Sequence, residues 1–371
     1  MPDLRALCIL ARTPQLSREQ LCAALDSLGD LDALFARSEA ALRDAGISRD
    51  AARWLAAPDP AIVDADLAAC ARFELQLIAA TDARYPLLLA RTIGAPPVLW
   101  VRGDAATLSL PQLAMVGSRN PTAAGARTAH EFAHYFAESG LAIASGLALG
   151  IDAASHDGCL VGGGKTLAVC GTGLDAVYPR ANAALADRIA RDGALVSEFP
   201  PGTPPLKANF PQRNRLISAL SLGTLVVEAA RGSGSLITAR CAAEQGRDVF
   251  AIPGSIHSPL SRGCHQLIRS GAKLVEEAAD VISELDFSDF KQMLRQPVPS
   301  IQAAPGGPPR LDKDYEILLD ALGFGPTSID DLVARTGLPS DSVASMLLIL
   351  ELQGRVEPHP GGRYSRRPDR R

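Results

Sequence analysis

Gln112-Leu113-Ala114-Met115-Val116 runs without a break into Gly117-Ser118-Arg119-Asn120-Pro121. Residues 122–139 then carry helical periodicity, and a second apolar run follows at 141–145. A continuous apolar run, a glycine turn, a helix and another apolar run make one strand–helix–strand unit of a parallel sheet buried on both faces. The pattern repeats outward. Further apolar runs bounded by Gly or Pro stand at 98–101, 166–170, 194–198, 224–228, 248–252 and 272–275, with helical stretches such as 235–245 between most of them. The reading is a doubly wound α/β domain with a mostly parallel sheet.

On either side the rhythm differs. Residues 1–80 read as short helices joined by polar turns, at 17–28, 31–37, 38–45 and 49–56, a small bundle of the SAM or helix-hairpin-helix kind. Ser17 with Gln20 forms a capping box, whereas Ser38 with Ala41 does not. The α/β domain is assigned to 81–290. A linker at 291–310 follows, rich in proline and glycine over 296–309. Beyond it, helical patterns at 314–322, 328–336 and 340–353 and a hairpin at 355–364 suggest a winged helix over 311–371. Its basic tail (Arg363, Arg366, Arg367, Arg370, Arg371) reads best as a solvated end.

Composition narrows the function. With 37 Lys+Arg against 41 Asp+Glu the net charge is −4, so this is no polycation that coats nucleic acid, and any DNA site must gather its cations locally. The seven cysteines are scattered and never form C-x-x-C, which predicts reduced thiols and neither a disulfide framework nor a cysteine zinc site. Residues 6–11 are too short for a signal-peptide core, and no apolar run approaches the roughly 18 residues of a membrane span. A soluble, cytoplasmic protein is expected.

Ligands of an open parallel sheet bind beyond the carboxyl ends of its strands. There the chain places Gly117-Ser118-Arg119, Ser145-Gly146 with Gly150-Ile151-Asp152, Gly171-Thr172-Gly173, and Arg231-Gly232-Ser233-Gly234-Ser235 ahead of Thr238. Small residues at successive strand ends let backbone N–H groups and helix N-termini converge on an anion, which points to a phosphate-binding surface. Lys207-Ala208-Asn209-Phe210-Pro211-Gln212-Arg213-Asn214-Arg215 adds an aromatic ring between cations, the combination that single-stranded nucleic acid requires for stacking and phosphate contact. Phe210 is equally readable as a core anchor, and Arg213 or Arg215 as a partner of Glu198 or Glu228.

Three near-motifs carry less weight. His130-Glu131-Phe132-Ala133-His134 matches the H-E-x-x-H zinc pattern, but on the first crossover helix and without a third ligand downstream, so no metal is expected. Gly162-Gly163-Gly164-Lys165-Thr166 resembles the end of a P-loop, yet it precedes a strand and has Cys159 where the leading glycine belongs. No G-x-G-x-x-G opens a helix after the first strand, and no nucleophile–His–acid set stands out, so no dinucleotide cofactor and no catalytic residue is assigned. Binding is preferred to turnover.

The ordered series from Gly117-Ser118-Arg119 through Phe210-Pro211-Gln212-Arg213-Asn214-Arg215, Val226-Val227-Glu228-Ala229, Ser233-Gly234-Ser235-Leu236, Ile252-Pro253-Gly254 and Gly263-Cys264-His265 resembles the DNA processing protein A family (DprA, also called Smf) over roughly residues 80–285. The resemblance implies an extended Rossmann fold that binds single-stranded DNA, works as a homodimer and delivers the RecA recombinase to the strand in natural transformation. It implies strand contacts at Ser118, Arg119, Gly146, Lys207 and Phe210, joined through their loops by Gly117, Ser145, Arg213, Ser233, Gly234 and Thr238, and a dimer edge near His265 and Leu274. Many relatives read Ser-Gly-Gly-Ala-Arg-Gly-Ile-Asp where this chain has Leu147 and Leu149 in place of the second glycine and the arginine. Rival readings are a phosphoribohydrolase-like nucleotide hydrolase, whose loop would lead towards a Glu instead of following Glu228, and a duplex-binding regulator led by the winged helix.

Overall fold

The computed structural model of the chain describes residues 3–285 and, beyond them, 313–323, 326–338, 356–359, 363–366 and the single positions 343, 346, 347 and 350. Six short helices come first: α1 (Leu4–Ala11), α2 (Arg18–Leu28), α3 (Leu31–Phe35), α4 (Glu39–Asp44), α5 (Arg49–Ala56) and α6 (Pro60–Phe73). Ser17 and Gln20 form the expected reciprocal cap of α2, and Ser38 caps α4 alone. The stretch read as helical then ends in a strand, β1 (Leu75–Ala79), which the sequence reading did not foresee. Only Gln76 of β1 faces outward, so the strand has the apolar character of a sheet element, too short to show a period.

After β1 come α7 (Leu87–Ala90), β2 (Val98–Gly103), β3 (Gln112–Val116), α8 (Ala123–Glu138), β4 (Ala142–Ser145), α9 (Ile151–Val161) and β5 (Thr166–Val169). The domain continues with α10 (Ala183–Asp192), β6 (Ala194–Ser197), α11 (Asn209–Ala219), β7 (Gly223–Val226), α12 (Ser235–Glu244), β8 (Asp248–Ala251), α13 (Arg262–Arg269), β9 (Lys273–Leu274) and α14 (Ala278–Glu284). The nine strands lie in the order β1-β2-β6-β5-β4-β3-β7-β8-β9. From β6 to β9 all pairings are parallel, and β1 and β2 extend the sheet antiparallel at one edge. The chain winds outward from β3 in one direction through β6, then returns to the other side of β3 with β7. That reversal is the switch point at which such sheets bind ligands.

Alternation within β3 shows how both faces are covered. Leu113 and Met115 pack with Phe136 of α8 and Ile151 of α9, whereas Ala114 and Val116 pack with Leu216 of α11 and Ala239 of α12. The N-terminal helices close a third region, where Leu21, Leu34 and Leu55 share one core with Leu77, Trp100 and Leu195 of the sheet. They are also clasped polar-wise. Arg12 holds buried Asp66 through two hydrogen bonds of 2.7 Å and donates a third, of 3.0 Å, to the Pro201 carbonyl on the loop after β6. Among the described residues no helix is long and apolar enough to cross a membrane.

In the C-terminal part, α15 (Lys313–Leu322) and α16 (Ile329–Thr336) stand with a small sheet of β10 (Thr327–Ser328), β11 (Val356–His359) and β12 (Arg363–Arg366), ordered β10-β12-β11. Val343, Met346, Leu347 and Leu350 are helical and buried with Leu318 and Leu332, where the third helix was expected. This is winged-helix architecture. Of the basic residues read as a solvated tail, Arg363 and Arg366 belong to β12, where Arg366 N–H donates to the Gly323 carbonyl at 2.8 Å; the expected linker at 291–310 and the rest of that tail lie outside the described residues.

Two buried side chains yield predictions. Leu147 adopts φ +59° and is buried with Leu174 and Cys170. A left-handed conformation costs an ordinary residue roughly 1 kcal/mol or more, so the apolar anchor holds it there. Leu147→Ala is expected to lower stability by about 2–4 kcal/mol, and Leu147→Gly to be no less stable than the alanine variant, the reverse of the usual order. Chemical denaturation of the three proteins checks this.

His156 on α9 has its Nδ1 2.7 Å from the Thr166 hydroxyl, whose own proton goes to the Ile143 carbonyl at 2.7 Å, so Nδ1–H is the donor. Burial, with a smaller contribution from Arg213, pushes this imidazole down from 6.5 to about 3. The unfolded chain takes up a proton as pH falls through 6.5 while the folded one stays neutral, so His156 withdraws stability on acidification. The part of the unfolding free energy owed to His156 should be about 2 kcal/mol smaller at about pH 5 than at about pH 7.5, so His156→Asn, compared with wild type in parallel denaturation curves, should lose less stability over that interval by about this amount.

Candidate nucleic-acid interface

The loops at the carboxyl ends of β3, β4 and β7 touch backbone to backbone. Ser118 N–H donates to the Glu228 carbonyl at 2.7 Å, and Ile151 N–H to the Ser118 carbonyl at 3.1 Å. Gly150, at φ +79°, lies so close that a Cβ there would stand 2.4 Å from the Ser118 oxygen; at Gly117 a Cβ would stand 2.7 Å from Ile151 and 2.9 Å from the Glu228 oxygen. Only glycine permits this approach. The Glu228 carboxylate accepts from Thr122 N–H (2.9 Å) and Thr122 Oγ1 (2.7 Å), so it caps the start of α8 and is not a free acid.

Above this floor the predicted cation and ring come together. The Arg119 guanidinium lies over the Phe210 ring at 5.7 Å, and Tyr178, from the loop after β5, packs against the same ring with centroids 5.6 Å apart. Gly171 lies beneath, where a Cβ would be 3.0 Å from the ring. Asn209 Nδ2 donates to the Gly171 carbonyl at 3.1 Å and fixes the start of α11 on this edge, with Lys207 exposed just before it. Phe210 is half-buried, both an anchor and part of the surface. Ser233 and Gly234 lie at the start of α12 on the neighbouring strand end, with Gly234 exposed and its carbonyl accepting from Asn214 Nδ2 at 3.2 Å.

Several expected contacts lie beneath the surface. Arg213 is 4% exposed and donates to the Gly146 and Val169 carbonyls, with buried Asp152 beside it. It is a brace under the edge, and a Cβ on Gly146 would stand 2.7 Å from both its terminal nitrogens. Burial lowers the Arg213 guanidinium pKa and raises that of Asp152, each against the pull of its partner. Ser145 is buried with its hydroxyl on the Met115 carbonyl at 2.6 Å, and Gly146 and Thr238 are buried as well, so none offers a side chain outward. Arg215 pairs with Glu198 and donates to the Gly94 carbonyl at 3.0 Å. Of the cations at 207, 213 and 215, Lys207 alone projects outward, because the turn of α11 carries Arg213 towards the strand ends. Tyr178, 47% exposed on this edge, was not singled out as a contact from sequence; an aromatic just after a Gly-x-Gly strand end was the available signal.

Elsewhere, His130 and His134 each face a separate carboxylate, Asp157 at 3.4 Å and Glu138 at 3.3 Å, and no cluster of three metal-ligating side chains exists among the described residues. Gly164, in the P-loop-like run, packs on Ala137 at the opposite end of the strands. His265 on α13 hydrogen-bonds the Gly254 carbonyl at 2.9 Å, and Leu274 is 49% exposed beside a shallow cavity of about 520 Å³ that both residues line.

Residues 76–286 match the family described as DNA recombination-mediator protein A, and residues 302–362 the DprA winged helix domain. Protein Smf of Escherichia coli is 42% identical over 325 residues, 86% of this chain and 85% of that protein. DNA processing protein DprA of Streptococcus pneumoniae is 50% identical over 206 residues, 56% of this chain and 73% of that protein. Among solved structures, the Streptococcus pneumoniae DprA crystal structure has a TM-score of 0.65 at 38% identity, covering 77% of this chain and 99% of its own. DNA processing protein A of Helicobacter pylori, described for its single-stranded DNA binding mode, has a TM-score of 0.53 at 28% identity, covering 58% of this chain and 97% of its own.

Outward and inward cations should separate experimentally. Arg213→Met leaves Asp152 buried without its partner and should cost about 3–5 kcal/mol of stability, whereas Arg119→Ala should cost less than about 1 kcal/mol. Thermal melts of the two variants check the assignment.

Proposed function

Because the chain belongs to the DNA recombination-mediator protein A family, we propose that it binds single-stranded DNA across the Arg119–Phe210–Lys207 edge and loads the RecA recombinase onto that strand during natural transformation. The observation that carries this reading is the placement of Arg119 over Phe210, with exposed Lys207 three residues ahead of that ring, beside loops that Gly117 and Gly150 let close. The single-stranded DNA binding mode of the Helicobacter pylori relative supports the same choice of ligand.

The mechanism is one of holding. Arg119 and Lys207 meet phosphates, the exposed Gly234 at the start of α12 lets a backbone approach closely, and the aromatic edge receives a base. No bond is made or broken, which agrees with Glu228 being committed to the α8 cap. A homodimer formed through the surface around His265 and Leu274 presents two such edges to one strand, raising avidity without new contacts. The recombinase then nucleates on a strand kept extended.

Fluorescence titration of oligo(dT) against a duplex of equal length, over a salt series, tests the reading. Single strands should bind more tightly, and Arg119→Ala and Lys207→Ala should each flatten the log–log salt slope by about 0.7. Equal slopes for wild type and both variants would remove these residues from the site. For the recombinase step, adding the protein to RecA and a strand coated with single-strand-binding protein should shorten the lag before ATP hydrolysis, and Arg119→Ala should restore it.

A further inference from the structure

Phe210 is not the open face of this site. Arg119 lies over its ring, Tyr178 packs against it with the rings tilted by 37°, and Gly171 lies close to its Cδ1 and Cε1, so the protein itself takes up part of the ring. Tyr178 is the member of the group that remains 47% exposed. A single exposed aromatic is ordinary on a protein surface, but this one packs, tilted by 37°, on the ring that a guanidinium covers, on the edge where phosphates are expected.

Its loop is also held rigid. Gly173 N–H donates to the Thr203 carbonyl at 3.1 Å, and Gly202 N–H to Asp175 Oδ1 at 2.9 Å. Leu174 is buried, and Asn182 Nδ2 donates to the Leu147 carbonyl at 2.8 Å and the Ala148 carbonyl at 3.1 Å. The ring is thus presented on a loop pinned on both sides of Tyr178, and a rigid aromatic loses little conformational freedom when a ligand lands on it.

We infer that Tyr178 is a nucleobase-stacking residue, the exposed ring of an Arg119–Phe210–Tyr178 cluster on which one base of the strand comes to rest. This rests on the proposed single-strand reading and adds a contact to it. Stacking is a contact with the base, so it differs from the Arg119 and Lys207 contacts in being blind to salt and dependent on the base itself.

The test compares wild type, Tyr178→Ala, Tyr178→Leu and Tyr178→Phe in anisotropy titrations with oligo(dT) and an abasic strand of the same length. Tyr178→Ala and Tyr178→Leu should weaken oligo(dT) binding by about 5- to 100-fold with the salt slope unchanged, while Tyr178→Phe stays within about twofold of wild type. On the abasic strand all four proteins should bind alike. A strand carrying 5-iodouracil should, on irradiation, crosslink to the peptide containing Tyr178. The inference is overturned if Tyr178→Ala binds oligo(dT) like wild type, if Tyr178→Phe is as weak as the alanine variant, or if the loss is equal on the abasic strand. Wild type that binds no single strand would defeat the functional reading itself; wild type that binds and responds to Arg119→Ala, with Tyr178→Ala unaffected, would defeat this inference alone.

Discussion

A guanidinium buried among strand ends governs the architecture of this edge. Arg213 reaches from α11 beneath the loops after β4 and β5, takes the Gly146 and Val169 carbonyls, and neutralises Asp152 at the start of α9. Those carbonyls would otherwise lack partners in a place that water does not reach, and each orphaned group is costly there. Removal from water works against the charge on both partners, so the arrangement persists only because Arg213, Asp152 and the two carbonyls satisfy one another together. Lys207 stands just ahead of α11, the helix that this guanidinium anchors to the strand ends.

The second constraint is space. Gly117 and Gly150 let the loops after β3, β4 and β7 close on one another, Gly146 makes room for the Arg213 guanidinium, and Gly125 makes room for the Glu228 carboxylate that seats α8. The edge is therefore preformed by backbone, and its polar side chains divide into those that build it and those that face out. Glu228, Arg215 and Arg213 build. Arg119, Lys207 and Tyr178 face out.

This division explains what could be read from the chain alone. The parallel sheet was legible because its strands are uninterrupted apolar runs bounded by glycine, and the edge because small residues recur after each of them. β1 was not, since five residues with one polar member show neither alternation nor a turn signal in front of them. Arg213 and Arg215 stand in one basic run with Lys207, and nothing in residue type separates a cation that pairs with carbonyls from one that meets solvent; the rotation of α11 decides it. Glu198 as partner of Arg215 was among the readings the residues allowed. Leu147, in a left-handed position many relatives give to glycine, follows a tertiary logic: its side chain finds a core that tolerates the backbone.

The clasp of Arg12 on Asp66 and the Pro201 carbonyl ties the opening helices to the segment that leads into Lys207. Removing the helices ahead of Leu75 would bare Trp100 and Leu77 and release that segment from the Arg12 guanidinium. The helical prefix and the sheet should therefore melt as one body, and a graft of the binding edge onto another scaffold would have to bring its prefix along.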